Sequence, residues 1–187
     1  VFAKTYATDN DRKLLLVERS TEQFQQLKNE KDYSKRILAV IDFEGEKYSD
    51  RLLSFDTVHA GKASMRMDAD HHYSPGFETT YKQLTTKDHA WLRAGLWVNP
   101  LHEAEQGSAV LVITCEHDGK SYEYKGVGIE SAQFQVKKLQ WNYISLDYLT
   151  PEVRSGDDKI KVYFWLQGDK PVFIDDLVIE VFEPKGQ

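Results

Sequence analysis

The segment AVLVITCEHDGKSYEYKGVGI, residues 109–129, decides the fold class of this sequence. Two stretches typical of β-strands, Ala109–Glu116 and Ser121–Ile129, flank the pair Asp118-Gly119. Such a pair between two strand-like stretches is a strong hairpin signal, because glycine supplies the positive φ that a tight turn needs. The segment therefore predicts two antiparallel strands.

Seven further stretches have the composition or the two-residue period of strands. In the clearest one, Trp91–Val98, a core face alternates with a face that carries Arg93 and Trp97. The others are Ile37–Glu44, Ala63–Ala69, Phe77–Leu84, Trp141–Leu146, Lys159–Gln167 and Val172–Phe182. About nine short strands joined by turns predict an all-β fold, an antiparallel two-sheet β-sandwich.

The first 36 residues differ in composition from the rest of the chain. They are rich in Lys, Glu, Gln and Asn, and Ser20 with Gln23 resembles a capping box, which predicts at most one short helix. We interpret residues 1–36 as a lead-in that is not an independent domain, and residues 37–187 as one sandwich domain. A chain of 187 residues suits a single large domain of this kind.

Charge and hydropathy exclude two classes of partner. The formal net charge is −6 and the basic residues are scattered, so the concentrated positive face that nucleic acids require is not expected. No run of about 18 apolar residues exists, which argues against direct membrane insertion. Because the sequence starts at Val1, we expect a processed chain or part of a longer polypeptide, in an extracytoplasmic place: periplasmic, cell-surface or secreted.

The sequence offers no catalytic residues by motif. Gly-x-Ser-x-Gly, phosphate-binding and dinucleotide-binding motifs are missing. The adjacent His71 and His72 would diverge in a strand and lack the spacing of a zinc site. The lone cysteine, Cys115, lies in an apolar strand and is interpreted as a small buried hydrophobe.

Several stretches together resemble a known family. They are, in order, IDFEG (41–45), VHAGKASMRM (58–67), WLRA (91–94), WNYIS (141–145) and VFIDDLVI (172–179). The order is similar to that of the galactose-binding-like jelly rolls, especially the carbohydrate-binding modules attached to xylanases and glucanases. The resemblance covers Ile37 to Phe182 and implies a jelly-roll sandwich.

The same resemblance implies a structural calcium ion where the first and last strands meet. The implied ligands are Glu44, Asp175 or Asp176, and backbone carbonyls around Gly61 and Lys62. Calcium prefers six to eight oxygen ligands of this kind. The alternative is that Glu44 and Asp176 are turn and edge carboxylates that discourage pairing between sheet edges.

One strand carries the clearest candidate ligand face. In Lys159–Gln167 the side chains of Tyr163, Trp165 and Gln167 alternate with core residues. Family-like pairing would add to the same face Arg93, Trp97, Thr114 and Glu116. Aromatic planes stack on sugar rings, while polar groups bind sugar hydroxyls, as in other ligand sites that combine apolar walls with polar anchors. The alternative is that residues 1–36 or a neighbouring domain cover these tryptophans.

Three functions follow from these observations. The first is a non-catalytic carbohydrate-binding module or accessory domain of a larger extracytoplasmic protein, with a glycan or polysaccharide as partner. The second is a structural or protein-interaction domain that forms the soluble extracytoplasmic part of a membrane or surface protein. The third is a jelly-roll polysaccharide lyase or hydrolase, for which Tyr163 and Arg93 would have to share the open face.

Overall fold

The computed structural model describes residues 26–44 and 48–185. Within these residues ten strands form two antiparallel sheets. The strands are β1 (Tyr33–Ile41), β2 (Leu53–Ser54), β3 (Ser64–Met67), β4 (Phe77–Thr80), β5 (Trp91–Pro100), β6 (Ala109–His117), β7 (Lys120–Gly128), β8 (Asn142–Leu149), β9 (Lys159–Leu166) and β10 (Val172–Pro184). Short helical turns occur at Glu30–Asp32, Asp50–Leu52 and α1 (Tyr81–Leu84).

The six-stranded sheet is built on β10. One edge of β10 pairs with β5, which pairs in turn with β8. The other edge pairs first with β3, at residues 172–174, and then with β1, at residues 177–184. The short strand β2 extends the sheet beyond β3. Strands distant in sequence are thus joined by one long strand.

The four-stranded sheet has the order β4-β9-β6-β7. Its β6–β7 pair is the predicted hairpin, with φ of 48° at Asp118 and 75° at Gly119. Positive φ at both central residues is the geometry that Asp-Gly pairs favour, because it matches the twist of the flanking strands. The hairpin prediction is confirmed.

Apolar side chains from both sheets fill the space between them. Leu92 and Leu96 of β5 face this core from one sheet, and Ile113 of β6 and Phe164 of β9 face it from the other; all are almost fully buried. Cys115 is also buried, as predicted, and burial raises the pKa of its thiol to about 11.

A buried polar network closes one end of the core. The Asp158 side chain, which is 1% exposed, is hydrogen-bonded to His117 Nδ1 at 2.6 Å and accepts the Tyr122 hydroxyl at 2.7 Å. It also accepts the backbone N–H of Arg154 at 2.8 Å. The thiol of Cys115 donates to Tyr122 Oη. The network joins the β6–β7 hairpin to the loop before β9.

The strand predictions agree with the structure in most elements. Every predicted stretch contains a strand, and the two-residue β2 was not predicted. Phe77–Leu84 divides into β4 and α1, because Thr80 and Gln83 form a capping box that starts a helical turn. The predicted all-β, two-sheet sandwich is confirmed.

The lead-in is described only in its last part. β1 begins at Tyr33, inside the segment predicted as lead-in, and the helix predicted near Ser20 and Gln23 lies outside the described residues. Leu27 is buried in a small cluster with Tyr33, Trp91, Leu149 and Phe182. No helix among the described residues is long and apolar enough to cross a membrane.

Candidate functional site

An aromatic group lies on the outer face of the four-stranded sheet. In β9 the side chain of Phe164 points into the core, so those of Tyr163 and Trp165 point outward. Tyr73, from the loop before β4, stacks on Trp165 with ring centroids 5.6 Å apart and an interplanar angle of 14°. Its ring also contacts Tyr163 edge-on at 6.0 Å, and Tyr73 remains 61% exposed.

Tyr124 of β7 extends the group across the same outer face, towards the opposite edge of the sheet. It lies opposite Thr114 and is 53% exposed. Its ring lies over Gly126, where an added Cβ would be 2.7 Å from the Tyr124 hydroxyl oxygen. A side chain at Gly126 would therefore displace the ring. We call Tyr73, Tyr124, Tyr163 and Trp165 the aromatic surface.

Paired charges border the aromatic surface. Lys161 Nζ lies 2.7 Å from Glu116 and 3.7 Å from Glu78, and Lys159 Nζ lies 2.6 Å from Glu78. The hydrogen bond to Glu116 raises the pKa of Lys161 above its usual value. The Thr114 hydroxyl, next to this cluster, is buried and has no hydrogen-bond partner among the described residues. The border therefore offers oxygen and nitrogen atoms for hydrogen bonding, and the charges of its lysines and glutamates nearly cancel.

A cavity of about 360 Å³ lies beside Tyr73 and Tyr163. It is completed by Phe77, Glu78 and Lys161, so apolar walls and charged groups line the same space. Known small-molecule sites start at about this volume and combine the same two kinds of lining. The cavity can hold a small polar ligand against an aromatic wall.

The predicted ligand residues do not all share this face. Glu116, Tyr163 and Trp165 lie on it, and Gln167 follows the end of β9 in an exposed position. Arg93 and Trp97 lie in β5, which pairs with β10 and β8 in the other sheet. The prediction of one shared face is therefore wrong. Alternation along a strand shows which side chains share a face of that strand, but it does not show which strands share a sheet.

Arg93 is held within the protein. Its guanidinium binds Asp147 at 2.6 and 3.0 Å and Glu30 at 2.6 Å, and it lies 5.2 Å from the ring centre of Phe182. The hydrogen bond to Asp147 is the largest cause of a raised Arg93 pKa. The N–H of Leu27 also donates to Asp147. The described part of the lead-in thus covers Arg93 and not Trp165.

Trp97 is likewise covered by neighbouring rings. His59 stacks on it at 4.0 Å with an interplanar angle of 18°, and Tyr143 lies 5.5 Å away. Trp141 contacts His59 edge-on and donates its indole N–H to the carbonyl of Val58. His59 therefore occupies a ring face of Trp97 that a sugar would use.

The predicted calcium ligands lie around the loop of residues 59–63. Glu44 Oε1 accepts the backbone N–H groups of Lys62 at 2.6 Å and Ala63 at 3.0 Å. Lys62 thus presents its N–H to this carboxylate, whereas the sequence prediction assigned its carbonyl to the metal. The contact ties the end of β1 to the start of β3.

Asp175 and Asp176 approach the same loop from β10. Asp175 Oδ2 accepts the N–H groups of His59 at 3.0 Å and Ala60 at 3.3 Å, and burial raises the pKa of Asp175. Asp176 Oδ2 lies 2.9 Å from His59 Nδ1. Among the described residues, no three Asp, Glu, His or Cys side chains are grouped closely enough to hold a metal ion. Calcium at this place stays a prediction.

Two members of the aromatic surface were missed by the sequence reasoning. Tyr73 lies in an irregular loop and reaches the sheet through a single bridge to Trp165, so no periodic pattern announces it. Tyr124 lies in a predicted strand, but a bulge between Cys115 and Glu116 sets its register. The signal available was the abundance of aromatic residues, 12% of the chain.

Comparison with known proteins identifies the fold. No protein-family model matches the chain, and no curated protein matches it in sequence. The structure is similar to the CBM22-1 xylan-binding domain from Paenibacillus barcinonensis, with a TM-score of 0.51, 15% identity and coverage of 81% of this chain and 98% of that one.

A second solved structure, the N-terminal CBM22-1-CBM22-2 tandem domain of the same organism, gives a TM-score of 0.50 and 13% identity. The similarity covers 82% of this chain and 47% of the tandem. A third structure, a Family 16 Carbohydrate Binding Module-2, gives a TM-score of 0.43 and 12% identity, over 68% of this chain and 82% of the module. The two structures with TM-scores of 0.51 and 0.50 show that the chain has the jelly-roll fold of carbohydrate-binding modules, and the predicted resemblance is confirmed at the level of the fold.

Proposed function

We propose that this chain is a non-catalytic carbohydrate-binding domain that binds glycans on the aromatic surface of its four-stranded sheet. The observation that carries the proposal is the group of Tyr73, Tyr124, Tyr163 and Trp165 on one sheet face, in which Tyr73 and Tyr124 are exposed and Tyr163 and Trp165 are partly exposed. An exposed aromatic patch of this kind marks an interaction site. Its chemistry, rings beside hydrogen-bonding side chains, matches what a sugar presents.

Each part of a sugar has a counterpart on this surface. The C–H faces of a pyranose are apolar and can stack on Tyr73 or Tyr163. Hydroxyl groups can donate to Glu116 and Glu78 and accept from Lys161, all of which lie beside the rings. Since Lys161 is already neutralised by two carboxylates, the surface suits an uncharged glycan better than an acidic one.

The comparisons support this proposal through the fold. A structure with a TM-score of 0.51 to this chain is described as a xylan-binding domain. Folds of this type carry many functions, so the argument for this chain rests on its own surface residues. The sequence-based face shared with Arg93 and Trp97 is not part of the proposal, because both residues lie on the other sheet.

The first test is removal of Trp165. Trp165→Ala removes the ring on which Tyr73 stacks, so Tyr73 loses its position for a sugar and we expect glycan affinity to fall at least tenfold, as for aromatic positions worth about 2 kcal/mol. Calorimetric titration with a panel of soluble polysaccharides and oligosaccharides measures the change. Tyr143→Ala is the matched control, because Tyr143 is an exposed aromatic residue on the opposite sheet.

Two results would contradict the proposal. One is that a broad panel of glycans shows no binding to the folded wild-type chain; the structural or protein-interaction domain would then be favoured. The other is that Trp165→Ala and Tyr143→Ala weaken binding equally, which would place the ligand elsewhere. Circular dichroism and thermal melting confirm that both variants are folded.

A lyase or hydrolase receives no support from the described residues. The sequence-based version required Tyr163 and Arg93 on one face, and they lie on opposite outer faces of the sandwich. Two groups separated by the core cannot act on one glycosidic bond. A polysaccharide degradation assay with the purified chain tests this directly, and turnover would overturn the non-catalytic assignment.

The proposal includes an extracytoplasmic location within a longer polypeptide, because structural polysaccharides lie outside the cytoplasm. Support comes from the similar tandem structure, in which such a domain is joined to another. The coding sequence upstream of Val1 tests it. A signal peptide or membrane anchor supports the proposal, and a cytoplasmic enzyme domain contradicts it.

A further inference from the structure

Within the described part of the chain, one edge of β1 has no partner strand. β1 (Tyr33–Ile41) pairs with β10 along one edge, and no strand among the described residues pairs with its other edge. Most of its side chains between Ser34 and Val40 are exposed or half-exposed. The backbone N–H and C=O groups on this edge have no strand partner among the described residues, and such an edge is a template for another strand unless the protein protects it.

Two exposed aliphatic side chains lie next to this edge. Ile37 is 60% exposed and Val40 is 56% exposed. They are three residues apart, yet they share a face, because the bulge at Leu38 places Ile37 opposite Glu180 and Val40 opposite Val178. Alternate residues of β10 point the same way, so both aliphatic side chains lie on the outer face of the six-stranded sheet.

We propose that two copies of this chain pair through their β1 edges, antiparallel, about a two-fold axis between Leu38 and Ala39. In this register Ile37 of one copy lies opposite Val40 of the other. The two exposed aliphatic positions would thus cover one another. A two-fold interface is self-complementary, so each contact occurs twice.

The charges at the two ends of β1 fit the same register. Lys35 of one copy lies opposite Asp42 of the other, and Asp42 is exposed, its carboxylate accepting the N–H of the nearby Glu44. Lys35 is already bound to Glu180 of its own chain at 2.5 Å on the outer face. The ammonium group would therefore lie between two carboxylates.

Arg36, the other cation of the strand, is turned away from the open edge. Its guanidinium donates to the carbonyl of Leu84 and lies near Glu183. Basic residues on an edge strand usually oppose pairing with a second strand. Here one is neutralised by the partner in the two-fold register and the other is engaged within its own chain.

The surface is distinct from the proposed glycan site. The aromatic surface lies on the four-stranded sheet, whereas β1 belongs to the six-stranded sheet. Dimerisation and glycan binding can therefore be measured and changed separately.

Sedimentation equilibrium of the purified chain over a range of concentrations tests the proposal. We expect the mass to rise from 21.6 kDa towards twice that value. Asp42→Lys places two lysines opposite one another at both ends of the interface, and we expect dimerisation to weaken about tenfold. The double variant Lys35→Asp/Asp42→Lys exchanges the charges and is expected to restore it.

Asp169→Lys is the matched control, because Asp169 lies in an exposed loop and the change in net charge is the same. A wild-type chain that stays monomeric at its highest soluble concentration would overturn the proposal. Equal weakening of the dimer by Asp42→Lys and Asp169→Lys would also overturn it. So would a double variant that dimerises no more strongly than Asp42→Lys. Thermal melts and glycan titrations of every variant show that the fold is intact.

Discussion

Asp158 is a carboxylate whose environment determines its ionisation. Burial alone would raise the pKa of Asp158, but the hydrogen bonds from His117 and Tyr122 and from backbone N–H groups outweigh it and hold the pKa below its usual value. The ionised form is therefore favoured by folding. Its contribution to stability is complete above the usual pKa of an aspartate and is lost as the pH falls through the lower folded pKa.

Asp158→Asn should remove this contribution. The amide would turn an N–H₂ group towards donors that need an acceptor, so we expect the free energy of unfolding at pH 7 to fall by about 1–3 kcal/mol. We also expect the loss of stability below about pH 4 to become shallower than in the wild type. Urea denaturation at a series of pH values measures both effects.

Asp157→Asn is the control for this experiment. Asp157 is the adjacent residue and is exposed, with its contact to Lys82 at the surface. Its replacement should change the unfolding free energy by well under 1 kcal/mol. If the two variants are equally stable at every pH, the buried network does not stabilise the fold as described.

For single residues, the sequence predicted which face of its strand a side chain lies on better than which other side chains lie beside it. The alternation in β9 placed Tyr163 and Trp165 outward correctly, because a strand face follows from the two-residue period. It could not place Arg93 beside them, since the identity of the neighbouring strand depends on pairing between distant segments. The partners of Asp158 come from two separate segments for the same reason.

The β6–β7 hairpin is the element most clearly determined by its sequence. Gly119 has φ of 75°, and an added Cβ would meet no heavy atom within 4 Å. A substitution there tests backbone conformation without steric interference. We expect Gly119→Ala to lower the unfolding free energy by about 1 kcal/mol, the usual cost of left-handed backbone for a residue with a Cβ.

Chemical denaturation measures this loss, and Gly119→Asn provides the comparison. Asparagine tolerates positive φ better than alanine, so its cost should be smaller. An alanine variant as stable as the wild type would show that the turn does not hold this conformation in solution.

The same hairpin shows what the sequence could not predict. A regular two-residue turn at Asp118-Gly119 would pair Thr114 with Glu123. The bulge makes Tyr122 an extra residue, so Thr114 pairs with Tyr124 instead. A shift of one residue turns a side chain to the other face of the sheet, and this shift brings Tyr124 to the aromatic surface.

At the scale of the whole molecule, the end of the sandwich near residues 59–63 connects three distant segments. We propose that calcium binds there, as the family resemblance implies, with Glu44 and either Asp175 or Asp176 as the carboxylates. The support is that all three contact the same short loop. In the described arrangement that loop offers them N–H groups and the His59 ring rather than a completed set of oxygen ligands.

Removal of calcium tests this proposal. If the ion is bound, EDTA should lower the melting temperature, and added calcium should restore it, because a ligand that binds only the folded state stabilises it. Differential scanning calorimetry and metal analysis of the purified chain provide the measurements. An unchanged melting temperature together with no detected calcium would show that hydrogen bonds alone close this end.

The global architecture followed from local signals, and the assignment of strands to sheets did not. Turn residues and two-residue periods are local properties, so they sufficed to predict a sandwich of about nine strands. Membership of a sheet depends on contacts between strands far apart in sequence. The split of the predicted ligand face, with Trp97 on one sheet and Trp165 on the other, follows from this difference.

The central position of β10 has a consequence for how the protein is made. Translation produces β1, β3 and β5 before β10, the strand with which all three pair. Until β10 has emerged from the ribosome, the apolar strands of the nascent chain lack the strand that covers their edges. Such uncovered edges bind chaperones or aggregate. A chain terminated before Val172 should therefore be found in the insoluble fraction or with chaperones, rather than as a partly active domain.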